Sequence, residues 1–489
     1  MRKQRLSGVG RTIALGAAAL SLLLAAGGSA GSVIATPISS DPYMNPDSQH
    51  ATQVEPDSYA FENTIVGTFQ TGRFVNGGGA SNIAWSTSTD GGRHWVTGTL
   101  PGTTVNAGGP WARISDPAVA YDPLHDVWMI STLGFGTPSS PSGSPSAILT
   151  SRSTDGGLTW QMPVTTSFGV IYDKNWITCD TWPTSPHYGN CYTEWDDNGQ
   201  GNRVLMSTSM DGGLTWGPDR SPAGSPSGLG GQPVVQPNGN VVVPYEGAGI
   251  RAFRSTDGGA TWSAAVTVSS ISEHGVAGNL RTSPLPSAEV AGDGRVYVAW
   301  QDCRFRSGCP ANDIVYSTSL DGVTWSAVTR VPIDPTTSTV DHFIPGLAVD
   351  KATSGSTTHL ALGYYYYPVS NCGNSCQLTV GFVSSLDAGA TWTAPTQVTG
   401  PMSLTWIANT DQGPMVGDYI STSFTGDGKA HPVFAIAKPK TGIVFSERAA
   451  TATFDPTAPQ VSPRVRVGTE RPVYRGHRRP GDRKIRTTH

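Results

Sequence analysis

Charged side chains are scarce in this sequence: Asp, Glu, Lys and Arg make up only 14 % of 489 residues. Long apolar runs are scarcer still. One run, from Ile13 to about Ala26, is too short to span a bilayer comfortably, and no other apolar stretch is long enough to cross one. There are six cysteines, and no pair of them has a His or a second Cys pair at zinc-like spacing. No metal and no cofactor is therefore expected. The 59 Gly and 37 Pro leave little room for long helices, while the frequent Ser, Thr, Val and Trp suit short strands. Composition thus points to an all-β chain rich in turns.

The N-terminal run follows Arg2, Lys3, Arg5 and Arg11 and precedes small residues. Residues 1–35 read as a signal peptide cleaved after Ala30 or Ala35, with an uncleaved membrane anchor as the alternative. The expected location is secreted, extracellular, with no transmembrane span in the mature chain. Export suits the cysteines, which fall into near-neighbour pairs and are expected as the disulfides Cys179–Cys191, Cys303–Cys309 and Cys372–Cys376. Charge is unevenly spread. Residues 461–489 hold nine Lys/Arg against Glu470 and Asp482, whereas 36–460 hold 19 basic against 34 acidic residues, a net of −15. An acidic body argues against a nucleic-acid partner. The tail, 453–489, lacks the apolar content for a core and is expected to be disordered. Its charge suits either a solvated end or contact with an anionic envelope surface.

What is present is a repeat. Six segments share one pattern: STDGGRHW (Ser88–Trp95), STDGGLTW (Ser153–Trp160), SMDGGLTW (Ser209–Trp216), STDGGATW (Ser255–Trp262), SLDGVTW (Ser319–Trp325) and SLDAGATW (Ser385–Trp392). Each follows an alternating apolar run and precedes another, so each is a hairpin loop. Gly supplies the positive φ of a tight turn. Asp and Ser can bind loop backbone groups, and Trp can fold back over the hairpin to bury area. These Asp residues read as fold staples, not as catalytic groups.

The six segments resemble the Asp-box, or BNR, repeats of the sialidase superfamily, over about residues 50–450. The resemblance implies an all-β, sialidase-like β-propeller of four-stranded blades with six Asp-box hairpins. In that family the box joins the third and fourth strands of a blade, away from the active face. Six units of four strands are legible, and VGDYISTSF, HPVFAIAKP and GIVFSERAA form a seventh, partial unit without a box. An N-terminal strand could complete it, so seven blades are favoured over six. The expected organisation is 1–35 signal peptide, 36–50 N-terminal linker or closing segment, 51–452 propeller and 453–489 tail.

Strand alternation sends the second-to-third loops and the starts of the first strands to one face, where a site is expected. Sialidases hold a substrate carboxylate with three Arg, attack with a Tyr assisted by a Glu, and use an Asp as acid/base. The resemblance then implies Arg73, Arg113, Arg304 and Arg306 for substrate binding, Tyr419 with Glu246 for the nucleophile, and Asp116 as acid/base. A fork of guanidinium groups suits a carboxylate, and a neutral Tyr avoids repulsion from an anionic sugar. Lys174, Asp173, Asp196, Asp341, His342 and Asp418 are expected on the same face. The implied function is a secreted, sialidase-like glycoside hydrolase acting on glycans, with sialosides among the candidate substrates. Two alternatives stay open: a non-catalytic propeller binding a glycan or a protein, and a structural or assembly factor.

Overall fold

The computed structural model describes residues 35–458. Nearly all of the expected signal peptide, and most of the basic tail, lie outside the described residues. Within them the chain is all-β, with only short 3-10 turns between strands. No helix among the described residues is long and apolar enough to cross a membrane.

The strands form antiparallel sheets in sequence order. The first joins Gln49–Phe61, Thr64–Arg73, Ala80–Ser88 and Val96–Thr99; the second joins Arg113–Asp122, Val127–Phe135, Ser146–Ser153 and Val164–Gly169. The third has three strands, Tyr172–Cys179, Cys191–Asp197 and Arg203–Ser209, with isolated bridges at Arg220 and Ser227 in place of a fourth. Sheets of four strands then run from Val234 to Ser269, Ser287 to Arg330, and Asp341 to Ser403. Finally Ser421–Phe424, Ala430–Ala437 and Glu447–Thr451 pair in order, and the N-terminal strand Thr36–Pro37 adds to the outer edge of Glu447–Thr451. Ile38 continues that pairing through its N–H to Ala449 O, 2.9 Å, and is buried. In its coarse features the expected architecture holds: all-β, built mostly of successive four-stranded sheets.

The first strand of each sheet lies innermost. Neighbouring first strands are tied by side chains: Asp57 Oδ2 accepts from Val119 N (2.8 Å), Gln232 Oε1 from Ala288 N (2.7 Å), and Ser287 Oγ from Leu347 N (3.0 Å). The Ser58 and Ser421 hydroxyls meet at 3.0 Å. Together these strands surround a narrow axial space of about 50 Å³, lined by residues such as Ser58, Val119, Ile177, Val234, Ala288, Leu347 and Ser421. Several carry a bulge near their N-terminal end, at Val54/Asp57, Ser115/Ala118, Asp173/Trp176 and Phe343/Gly346. The bulged residue has positive φ: Glu55 52°, Asp116 49°, Lys174 44° and Ile344 49°. A bulge re-aims a side chain that the strand's alternation would otherwise send elsewhere.

The repeats behave as local staples. In the third copy Asp211 Oδ1 accepts from Ser209 Oγ and Thr215 N (both 2.9 Å), Asp211 Oδ2 accepts from Thr215 Oγ1 (2.6 Å), and Gly213 N donates to Ser209 Oγ (2.9 Å). Gly213 has φ 76°, and a Cβ there would stand 2.5 Å from Met129 Sδ of the preceding sheet. Glycine is thus required twice, for the turn and for the close approach. The same Ser–Asp bond recurs at Asp90, Asp155, Asp257, Asp321 and Asp387. All six cysteines are paired as 179–191, 303–309 and 372–376; Cys179 and Cys191 face each other across adjacent strands.

Replacing Trp216 by Ala should cost about 2–4 kcal/mol in chemical denaturation through lost buried area, and Asp211→Ala roughly 1 kcal/mol through lost turn hydrogen bonds. Ligand binding per folded molecule should persist in both; its loss at an unchanged melting temperature would contradict a structural role.

Candidate functional site

At the bulged end of the inner strands a buried ammonium gathers carboxylates from several sheets. Lys174 Nζ lies 3.1 Å from Asp116 Oδ1, 3.2 Å from Asp418 Oδ2 and 3.6 Å from Glu55 Oε1. Asp418 Oδ2 also receives Arg281 Nη2 at 2.5 Å. Ser115 Oγ donates to Asp116 Oδ2 (2.6 Å), and Gln70 Nε2 donates to Glu55. Arg73, 2 % exposed, places Nη1 on Gly79 O (2.6 Å) and Nε on Met415 Sδ (3.3 Å). The Lys174 ammonium stands over the Tyr419 ring, 4.2 Å from its centroid, and Trp176 packs edge-on against that ring.

Environment separates these carboxyls by charge state. Burial raises Asp418, but Lys174 and Arg281 overrule it and hold its carboxylate well below the usual range. Burial tends to discharge Lys174 as well, yet Asp418, Glu55 and Asp116 keep its ammonium far above its ordinary value. For Glu55, Asp173, Asp196 and Glu194 burial wins. It pushes Glu55 up to about 7 against the pull of Lys174. Asp173 rises to about 6 and Asp196 to about 8, each through burial first and neighbouring carboxylates second. Glu194, buried beside Asp196, is driven well above its ordinary value.

A cavity of about 240 Å³ opens over this cluster. Its walls include Arg73, Arg281, Ser115, Asp116 and Asp173, with apolar Phe135 and Ile171 on the far side. Arg281 comes from the long segment between the fourth and fifth sheets and is anchored by its N–H to Pro414 O, 2.8 Å. Two guanidiniums, Arg73 and Arg281, and three carboxyls, Asp116, Asp173 and Asp411, therefore face one space.

The residues expected from sequence divide. Arg73 and Asp116 meet at this cavity, while Tyr419 lies beneath it. Tyr419 does not meet Glu246. Its hydroxyl donates to Pro117 O at 3.0 Å, and burial with the nearby Glu55 and Asp116 charges raises it well above its usual value. Glu246 sits in the fourth sheet, where its backbone pairs with Leu229 and burial and Glu273 raise its carboxyl. Arg113 packs over Phe74, 4.2 Å from the ring, and donates to Gly78 O. Arg304 grips Asp302 with two bonds, 2.9 and 2.6 Å, and Arg306 is locked between Asp313 (2.6 Å) and Asp334 (2.7 Å). Neither Arg304 nor Arg306 reaches the Arg73 cavity, because aspartates on their own sheet hold them. Asp313, Asp334 and His342 are the one group among the described residues with metal-like spacing. The guanidiniums of Arg306 and Arg330 already balance both of its carboxylates.

Sequence reasoning passed over Glu55 and Arg281. Glu55-Pro56 repeats Asp116-Pro117 at the same position of the preceding unit, a signal within reach. Arg281 lies outside any repeat and left none.

Comparison with known proteins follows this geometry. Residues 253–264 match the BNR/Asp-box repeat family model. No curated protein matches this chain. Among solved structures, a protein of unknown function from Dyadobacter fermentans is 18 % identical, covering 73 % of this chain and 99 % of its own, with a TM-score of 0.45. The NanB sialidase of Streptococcus pneumoniae is 12 % identical (84 % and 70 % covered, TM-score 0.43). An alpha-L-arabinanase of Penicillium chrysogenum is 12 % identical (87 % and 98 %, TM-score 0.43).

The raised carboxyls set a pH dependence. Folded Glu55, Asp57 and Glu289 hold protons up to about 7, whereas their ordinary values are 4.5, 3.8 and 4.5. The folded state then binds more protons than the unfolded one, so this stability is complete below about pH 4 and is lost as pH rises towards 7. Denaturation midpoints should fall from pH 5 to pH 7. Asp57→Asn should flatten that slope by up to ~1.4 kcal/mol per pH unit; an unchanged slope would show that Asp57 titrates normally.

Proposed function

We propose that this chain is a sialidase-like glycoside hydrolase that works on a terminal sugar residue in the cavity over Asp116. The observation that carries this reading is the pairing, on one wall, of carboxyls in unlike surroundings with two guanidiniums. Asp173, near 6, is suited to give a proton to the departing glycosidic oxygen. Asp116, held by Lys174 and Ser115, is the partner carboxylate that activates water or attacks the sugar. Arg73 and Arg281 would orient the substrate, and a sugar carboxylate such as that of a sialoside is one group they could grip. Tyr419 has no part in this mechanism, since a hydroxyl bound to a carbonyl and raised by burial is a poor nucleophile. The cavity lies just under the ~300–1,000 Å³ usual for small-molecule sites, which favours one sugar over a long chain.

Glycan binding without turnover is the second reading. The mutual satisfaction of Lys174, Arg281 and Asp418 favours it, because those charges need no substrate. Assay on chromogenic glycosides, sialosides included, separates the two. Hydrolysis of at least one substrate is expected, with kcat lowered about 100-fold or more by Asp116→Asn and by Asp173→Asn. Saturable sugar binding with no turnover would leave the binding reading in place.

We infer further that the sheets close as a seven-bladed ring. In support, the last inner strand, Ser421–Phe424, contacts both Asp341–Val349 and Gln49–Phe61. The first box also abuts the last sheet: a Cβ on Gly92 would stand 3.0 Å from the His431 ring. Ile38→Asp, at the closing strand, should cost about 2–4 kcal/mol.

Export through the N-terminal segment belongs to the same reading. Expression of the full chain in a secreting host should yield a product beginning at Gly31 or Thr36 by intact mass. A secreted product that retained Met1 would establish the anchor instead.

A further inference from the structure

The inner strands have a second end. Glu55 and Phe61 belong to one strand and stand six residues apart, about 20 Å at strand rise. Around the Phe61 end, the close of Asp341–Val349, the close of Ser421–Phe424 and the Thr181–Pro183 turn surround a cavity of about 340 Å³. Most of its wall is apolar, supplied by Phe61, Trp182, Val349 and Phe424. Its floor is polar. Tyr59, Glu289 and Lys351 line both this cavity and the narrow axial space beyond it.

The floor residues are incompletely engaged. Lys351 Nζ donates to Tyr59 Oη at 3.0 Å and lies 5.1 Å from that ring's centroid. An ammonium carries three N–H donors, and among the described residues no other acceptor for Lys351 is present. Glu289 receives no side-chain hydrogen bond among the described residues. Burial lifts its carboxyl to about 7 while Lys351 pulls the other way. The two groups attract but form no ion pair with each other, so space separates cation from carboxyl. Holding complementary charges deep in the chain without letting them meet costs free energy unless something polar bridges them.

The chemistry of the bridge follows from the walls. Lys351 and Glu289 offset each other on the floor, and Glu62 and Asp350, which also line the cavity, disfavour an anion. A group that accepts from Lys351, donates to Glu289 and lays an apolar face on Phe61 and Trp182 fits each part of the surface. A hydroxylated ring does all three.

We propose that this cavity is a second binding site, for a neutral sugar ring, at the end of the axis opposite the Asp116 cavity. Tyr59, Lys351 and Glu289 hydrogen-bond its hydroxyls, and the aromatic wall covers its C–H face. The ring is either a free monosaccharide or the terminal residue of a glycan. The site is separate from the hydrolytic reading and stands or falls without it.

Calorimetric titration of the full chain tests the site, with glucose, galactose, mannose, arabinose and N-acetylglucosamine, and in a second arm with short oligosaccharides ending in each. Saturable binding of at least one sugar is expected. Affinity for monosaccharides and oligosaccharides alike indicates recognition of the ring itself, and affinity for oligosaccharides alone indicates a glycan end. Ala352→Trp, at the exposed rim, should weaken binding at least 10-fold while leaving melting temperature and any turnover at Asp116 unchanged. Pro183→Trp, on the facing rim, is the second variant should the first not fold. Glu289→Gln should weaken binding without abolishing it. Asp116→Asn should leave this binding unaltered. Absence of saturable binding by every sugar in both arms would overturn the proposal, as would binding that Asp116→Asn removes and both tryptophan variants retain.

Discussion

Lys174 has to carry its charge where water hardly reaches it. A lone buried ammonium loses its proton, and a lone buried carboxylate gains one. At the centre the Lys174 ammonium and the Asp418 carboxylate keep their charges, because Lys174 from the third sheet meets Asp116 from the second, Glu55 from the first and Asp418 just before the last, while burial still lifts Glu55 to about 7. Four segments far apart in sequence must therefore arrive together for any one of them to be stable in its charge state. The bulges make this possible. Each turns a side chain out of the strand's alternation and towards the shared centre, at positive φ values that non-glycine residues seldom take.

That dependence explains what the amino-acid sequence discloses and what it conceals. The Asp box is readable because its parts are local. Ser, Asp and Gly at fixed spacing make their own hydrogen bonds within a few residues, and the Trp packs close by, so the pattern carries its structure with it. The disulfides are readable for the same reason. The site has no such closure. Arg281 owes its place to Asp418, 137 residues later. Arg304 and Arg306 look like free loop cations until Asp302, Asp313 and Asp334 are seen beside them. Strand alternation places a residue on a face of the propeller, but it cannot tell a group aimed at the axis from one held by its own sheet. Asp116 and Arg73 were legible because they begin or end strands at the axis; Glu246 has the same kind of position and turns elsewhere.

The two ends of the axis solve the problem of buried charge differently. At the Asp116 end, charges of both signs are in direct contact and the carboxyls differ widely in proton affinity. At the Lys351 end, the ammonium and the nearby Glu289 carboxyl are held apart. Between them the narrow space is lined by hydroxyls and by Asp57, whose carboxylate receives Val119 N–H. Buried polar groups thus gather along this column and at separate ion pairs such as Arg306 with Asp313, while apolar clusters fill the space between sheets.

The pairing of Thr36–Pro37 with Glu447–Thr451 has a consequence for biosynthesis. A ribosome releases the earliest of these segments about 410 residues before its partner exists. Through that interval Thr36–Pro37 has no partner strand, and the sheets made meanwhile precede the one it belongs to. Bare strand edges are sites of mispairing. Completion of the last sheet therefore waits for the late strand Glu447–Thr451, and every translation product that stops short of it leaves Thr36–Pro37 unpaired.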